Sequence, residues 1–156
     1  MRGPALHDER HRVTATATYT APWEITLSGL FSAASGWPYN ILAGTDLNMD
    51  RDGGSFPSDR ARVTPGDPSS SLPRNSGRLP SQVSLDARVS KSLRLSERVE
   101  LEGIFEVFNI LNRTNFIEVQ NVFGVGAYPS NPAPTFGRFT QAGNPRQMQL
   151  AARVRF

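Results

Sequence analysis

Five segments of this sequence alternate apolar and polar residues for about ten positions each, a pattern only β-strands with one greasy and one wet face can satisfy. In the first, Val13, Ala15, Ala17 and Tyr19 alternate with Arg12, Thr14, Thr16, Thr18 and Thr20. In the second, Trp23, Ile25, Leu27, Gly29, Phe31 and Ala33 oppose Glu24, Thr26, Ser28 and Ser32. The third sets Val83, Leu85, Ala87, Val89 and Leu93 against Ser84, Asp86, Arg88, Ser90, Ser92 and Arg94. In the fourth, Val99, Leu101, Gly103, Phe105 and Val107 oppose Glu100, Glu102 and Glu106, with Ile104 and Phe108 as exceptions. The fifth sets Met148, Leu150, Ala152, Val154 and Phe156 against Gln147, Gln149, Arg153 and Arg155.

Soluble strands average about 5–6 residues, whereas a tilted strand needs about 9–11 to cross a bilayer. The connections carry a second signal. The first joint is little more than Ala21-Pro22, and the one after the third strand is about Ser96-Glu97. Long polar stretches, about 36–81 and 111–146, fill the other two gaps. Short turns on one side and long loops on the other are the arrangement of an outer-membrane barrel. A periplasmic C-terminus puts both short joints inside and both long loops outside. Tyr19, Trp23 and Trp37 fall near expected strand ends, where amphipathic aromatics suit the headgroup boundary.

Composition narrows the alternatives. Only 38% of residues are hydrophobic and no run of about 18 apolar residues occurs, which excludes a transmembrane helix. The net charge is +3, with Lys91 the only lysine among 17 basic residues. The arginines are scattered, without a basic stripe or an aromatic RNA-binding motif, so a nucleic-acid partner is not expected. The absence of cysteine removes disulfides and thiolate metal sites.

Further stretches carry a family resemblance. Ser35-Gly36-Trp37-Pro38-Tyr39 follows the second strand, and Arg74-Asn75-Ser76-Gly77-Arg78 precedes the third. Phe108-Asn109-Ile110-Leu111-Asn112-Arg113 follows the fourth, Gly143-Asn144-Pro145-Arg146-Gln147 precedes the last, and the last strand closes on Phe156. Together they resemble the C-terminal barrel of TonB-dependent outer-membrane receptors, in the Oar-like group that often carries a carboxypeptidase-regulatory-like domain. The alternating last strand with its terminal Phe resembles the signal read by the barrel-assembly machinery.

The resemblance implies a barrel of 22 strands, a plug domain in its lumen, and energy from the TonB complex. It also implies the outer membrane of a Gram-negative bacterium as location, and import of a scarce nutrient such as an iron chelate, glycan or peptide. The expectation is therefore an all-β antiparallel meander of about five long strands. Residues 1–156 would be the C-terminal part of a transmembrane β-barrel, a fragment that transports nothing alone. Five strands cannot close a barrel, and open edges are not tolerated in hydrocarbon. Two other readings fit the alternation: a structural or adhesive outer-membrane barrel, and a soluble calcium-dependent carbohydrate-binding β-sandwich.

Candidate chemistry is sparse, and an enzyme is not expected. Asp46, Asn48, Asp50 and Asp52, followed by Gly53-Gly54, place oxygens at every second position, the start of a calcium loop. Arg51 stands where an EF-hand needs glycine and Pro57 where it needs the bidentate Glu, so ordinary turn stabilisation competes with Ca2+ for these residues. His7 and His11 have metal-ligand spacing but no third ligand. On the polar faces, Asp86, Arg88, Glu100, Glu102, Glu106, Arg153 and Arg155 offer one another cross-strand partners of opposite sign.

Overall fold

The computed structural model describes residues 3–49 and 59–156. Among them the chain is all-β, its one helical piece being a 3-10 turn at Pro68–Ser70. The strands are β1 (Arg12–Ala21), β2 (Ile25–Ala34), β3 (Pro38–Tyr39), β4 (Gly77–Arg78) and β5 (Gln82–Ser96), then β6 (Val99–Phe108), β7 (Phe116–Val119), β8 (Phe139–Ala142) and β9 (Gln147–Arg155). They fall into two compact units.

One unit is a five-stranded antiparallel meander, ordered β1-β2-β5-β6-β9. Its strands are the five alternating segments of the sequence. β1, β2 and β6 have ten residues each and β9 has nine, whereas β5 runs to fifteen. β1 and β2 are joined by Pro22-Trp23-Glu24, with Trp23 and Glu24 at φ 65° and 59°. Trp23 thus belongs to the turn and not, as its alternation implied, to the second strand. Pro22 has no N–H for a ladder, and the two left-handed residues after it reverse the chain. β5 and β6 are joined by Glu97-Arg98 alone.

Register aligns the apolar sets of all five strands on one face. Ala17, Gly29, Ala87, Val107 and Met148 form one cross-sheet row, and Tyr19, Leu27, Val89, Phe105 and Leu150 the next. The register also slopes. On the β1–β2 hairpin the uppermost apolar pair, Val13 and Ala33, lies level with Val83; on the β6–β9 pair, Val107 and Met148 lie level with Ala87, four residues further along β5. At the other end Ile25 is level with Lys91 and Val99 with Ser96, five residues apart. Four residues over three strand spacings is about 14 Å along the strands for about 14 Å across them. That slope of about 45° is the strand tilt that closing a barrel demands.

The slope leaves the upper end of β5 without β6 beside it, and the chain after β6 fills the gap. The Asn115 side-chain amide both accepts from Val83 N and donates to Val83 O, each at 2.9 Å, standing in for a missing strand. Ile110 N donates to Leu85 O at 2.8 Å, and Asn109 N to Asp86 Oδ1 at 2.8 Å. Every such bond removes an otherwise orphaned backbone group.

The other unit, drawn from Met1–Arg10, Ser35–Pro80 and Phe116–Ala142, packs its own small core. Ile41, Ala61, Leu72 and Phe123 are buried together, with Tyr39, Tyr128 and Phe136 against them. The long polar stretches are therefore not bare loops. Two short ladders, β3–β4 and β7–β8, brace this unit, and Phe116 stacks on Phe139 at 4.1 Å across the second.

Candidate functional site

The meander is built inside out relative to a soluble protein. On its apolar face Leu150 is 82% exposed and Met148 65%; Val13, Tyr19, Leu27, Val89, Leu93, Phe105 and Val154 are also exposed. The buried residues of its strands, Ser90, Glu102 and Ile104, all lie on the opposite face. A soluble sandwich hides its apolar side, because burial of such area is the main favourable term in folding. Here that side has no cover within the unit, so the rival soluble reading loses its core.

The polar face is held by ion pairs that the register creates. Arg88, Glu106 and Gln149 share one row, Ser92, Glu102 and Arg153 another, and Arg94, Glu100 and Arg155 a third. Glu102 sits at the centre. Arg88 Nη2 lies 3.6 Å from its Oε1, while Arg153 Nη1 and Arg155 Nη2 lie 3.5 and 3.3 Å from its Oε2. Arg88 Nη1 also meets Glu106 at 3.5 Å, and Arg155 Nη1 meets Glu100 at 3.4 Å. These are the cross-strand partnerships expected of a water-lined wall.

Lys91 is the lone charge on the apolar face, level with Ile25 and Gly103 near the short-turn end. A lysine there keeps its methylenes against lipid and lifts its ammonium to the headgroups. The exposed Tyr19 and the turn residue Trp23 (80% exposed) lie toward the same end, as an interfacial aromatic belt requires.

An exposed apolar band, a charged opposite face, tilted strands and short turns confined to one end together describe a barrel wall. Residues 1–149 match the family model of the outer membrane beta barrel domain. The chain belongs to that family. No curated protein and no solved structure matches it. An outer-membrane barrel domain works at the outer membrane, and the exposed face of the meander is the side that meets lipid there.

The sequence motifs of this barrel domain fall into two interlocking pairs. Gly77, at the start of β4, packs so closely on Tyr39 that a Cβ would collide with the ring, and Gly36 likewise abuts the Leu79 carbonyl. Arg78 Nη1 donates to Gly36 O at 2.8 Å, and its Nη2 lies 3.5 Å from Asp8. Asn75, buried at φ 53°, donates Nδ2 to Pro4 O and accepts nothing on Oδ1, while its N–H goes to Asn40 Oδ1. In the sheet unit, Asn109, buried at φ 50°, donates Nδ2 to Arg113 O and Asn144 O. The stretch after the fourth segment is thereby tied to the one before the last.

Trp37 lies in the other unit, where its Nε1 donates to Glu9 and its ring meets His7 edge-on at 5.9 Å. Of the candidate calcium ligands, Asp46 Oδ1 accepts from the N–H groups of Asn48 (3.2 Å) and Met49 (2.7 Å), an Asx turn. Asp50 and Asp52 lie outside the described residues. The Asp59 carboxylate accepts from Leu47 N at 2.8 Å. Among the described residues, no three acidic or histidine side chains come together as metal ligands. His7 and His11 fall in different units.

Proposed function

We propose that the chain forms the last five strands and two external loops of a larger TonB-dependent receptor-like barrel that imports a scarce nutrient. The observation that carries this reading is the pair of open edges. β1 and β9 each pair on one side only, and a barrel wall in hydrocarbon needs both sides bonded. The motif pairs centred on Asn75 and Asn109 favour the same group, since they hold together the stretches on which the resemblance rests. Short turns then face the periplasm and the long excursions face outward.

Photo-crosslinking of the intact protein in cells tests this. Covalent capture of TonB is expected, together with loss of nutrient-dependent growth when TonB is deleted. An intact protein that never captures TonB and whose loss leaves growth unchanged contradicts import and favours a barrel that only anchors its loops. For Asp46, Asn48, Asp50 and Asp52 the same reading assigns ordering of an external loop around Ca2+. Calcium titration should give a heat signal that Asp50→Asn and Asp52→Asn abolish; identical isotherms in the variants refute that assignment.

A further inference from the structure

One row of the polar face breaks its own pattern. Thr16, Leu30 and Asp86 lie side by side on β1, β2 and β5; just past the end of the β5–β6 ladder, Phe108 of β6 pairs with Gln147 of β9 and walls the same clefts as Asp86. Leu30 is 40% exposed and Phe108 39%, on a face lined mainly by hydroxyls, amides and ion pairs, whose other large apolar side chain, Ile104, is buried. Two clefts meet there, of about 390 and 320 Å³, and both are walled by Asp86 and Phe108. Ser84, Asn144 and Gln147 line the first, and Thr16, Thr18 and Ser28 the second.

Much of the hydrogen-bonding capacity at this spot is unused. Asp86 Oδ1 already accepts from Asn109 N and Ser84 Oγ, which fixes the carboxylate. Its Oδ2 and the side-chain amides of Asn144 and Gln147 have no protein partner among the described residues. An apolar platform with oriented donors and acceptors at its rim is the chemistry of a small-ligand site. The charges select further. Two carboxylates, Asp86 and Glu106, stand beside the platform, and Arg88, the cation between them, is engaged by Glu102 and Glu106. An anionic iron chelate would be repelled by Asp86.

The geometry points to a saccharide subsite: a neutral sugar ring lies with its C–H face on Phe108 and Leu30 and its hydroxyls on Asp86 Oδ2, Asn144 and Gln147. This rests on the reading that the polar face lines the barrel lumen, and it names the nutrient class that reading leaves open. Maltohexaose, cellohexaose and xylohexaose serve as probes in saturation-transfer NMR and calorimetry on the intact, detergent-purified protein.

At least one hexaose is expected to bind. Phe108→Ala and Asp86→Asn should each weaken it about tenfold or more, since ring stacking and a fixed carboxylate carry the contact. Phe108→Trp should bind as well as the parent, and Phe105→Ala, on the lipid face, should change nothing. The inference is overturned if none of the three hexaoses binds a correctly folded barrel, or if binding ignores both Phe108 and Asp86. TonB capture read in parallel separates the two ideas: capture without sugar binding removes only the subsite.

Discussion

Glu102 is 8% exposed because three guanidinium groups converge on it. Glu102→Gln keeps the size and removes the charge. Arg88 retains Glu106 and Arg155 retains Glu100, but Arg153 loses its one ion-pair partner among the described residues. The arginines are half exposed, so solvent screens the loss, and a cost of about 1–2 kcal/mol is expected. Equilibrium unfolding of the intact protein in vesicles measures it; an unchanged midpoint would mean the network contributes nothing. Asn109→Ala cuts more deeply, since it removes two side-chain donations, one acceptor contact and a residue suited to positive φ. About 2–3 kcal/mol is expected in the same assay.

At the scale of elements, the two faces of β6 should respond oppositely to charge. Phe105→Arg places a guanidinium on the lipid side near mid-strand and is expected to cost about 2–4 kcal/mol in vesicle unfolding. Glu106→Gln, one residue away on the wet face, should cost well under half of that. Equal costs would contradict the facing. The 3-10 turn at Pro68–Ser70 gives a pH-dependent element outside the sheet. Asp67 caps it, and the hydrogen bonds from Ser69 Oγ and N hold its carboxyl below the ordinary carboxylate range. A depressed value means the cap is at full strength above about pH 4 and fades as pH falls through the folded-state value. Exchange of the Ser69 amide should therefore gain protection as pH rises across that window, after correction for intrinsic rates; Asp67→Asn should flatten the profile.

How far the sequence reaches is clearest at this same scale. Period two located all five long strands and their lipid side, because each strand carries its own face pattern without help from the rest of the fold. It misplaced Trp23 by extending β2 through a turn whose left-handed residues leave no periodic trace. It missed the slope of the sheet, since a register between strands about 60 residues apart is not written in either one. The motifs were visible, but their pairing was not: Gly77 against Tyr39, and Asn109 against Asn144, are contacts across long separations. Leu30 and Phe108 break the alternation of their strands, and only cross-strand register turns two local exceptions into one platform.

For the whole molecule, tilted register, an exposed apolar band and a bonded polar wall fit a sheet solvated by lipid on one side and water on the other. The isolated 156-residue chain has two bare edges and an uncovered apolar face, and it should aggregate on dilution from urea unless lipid is present. A clear, monomeric, cooperatively melting solution without detergent would contradict that. The cysteine-free sequence allows the most direct measurement: single cysteines placed in turn along Val99–Phe108 of the intact protein in vesicles, spin-labelled, and read for collision with oxygen or a water-soluble nickel chelate. Labels at 101, 103, 105 and 107 should favour oxygen and those at 100, 102 and 106 nickel, in strict alternation. A profile without period two, or with the phases exchanged, would contradict the assignment of these faces to lipid and water.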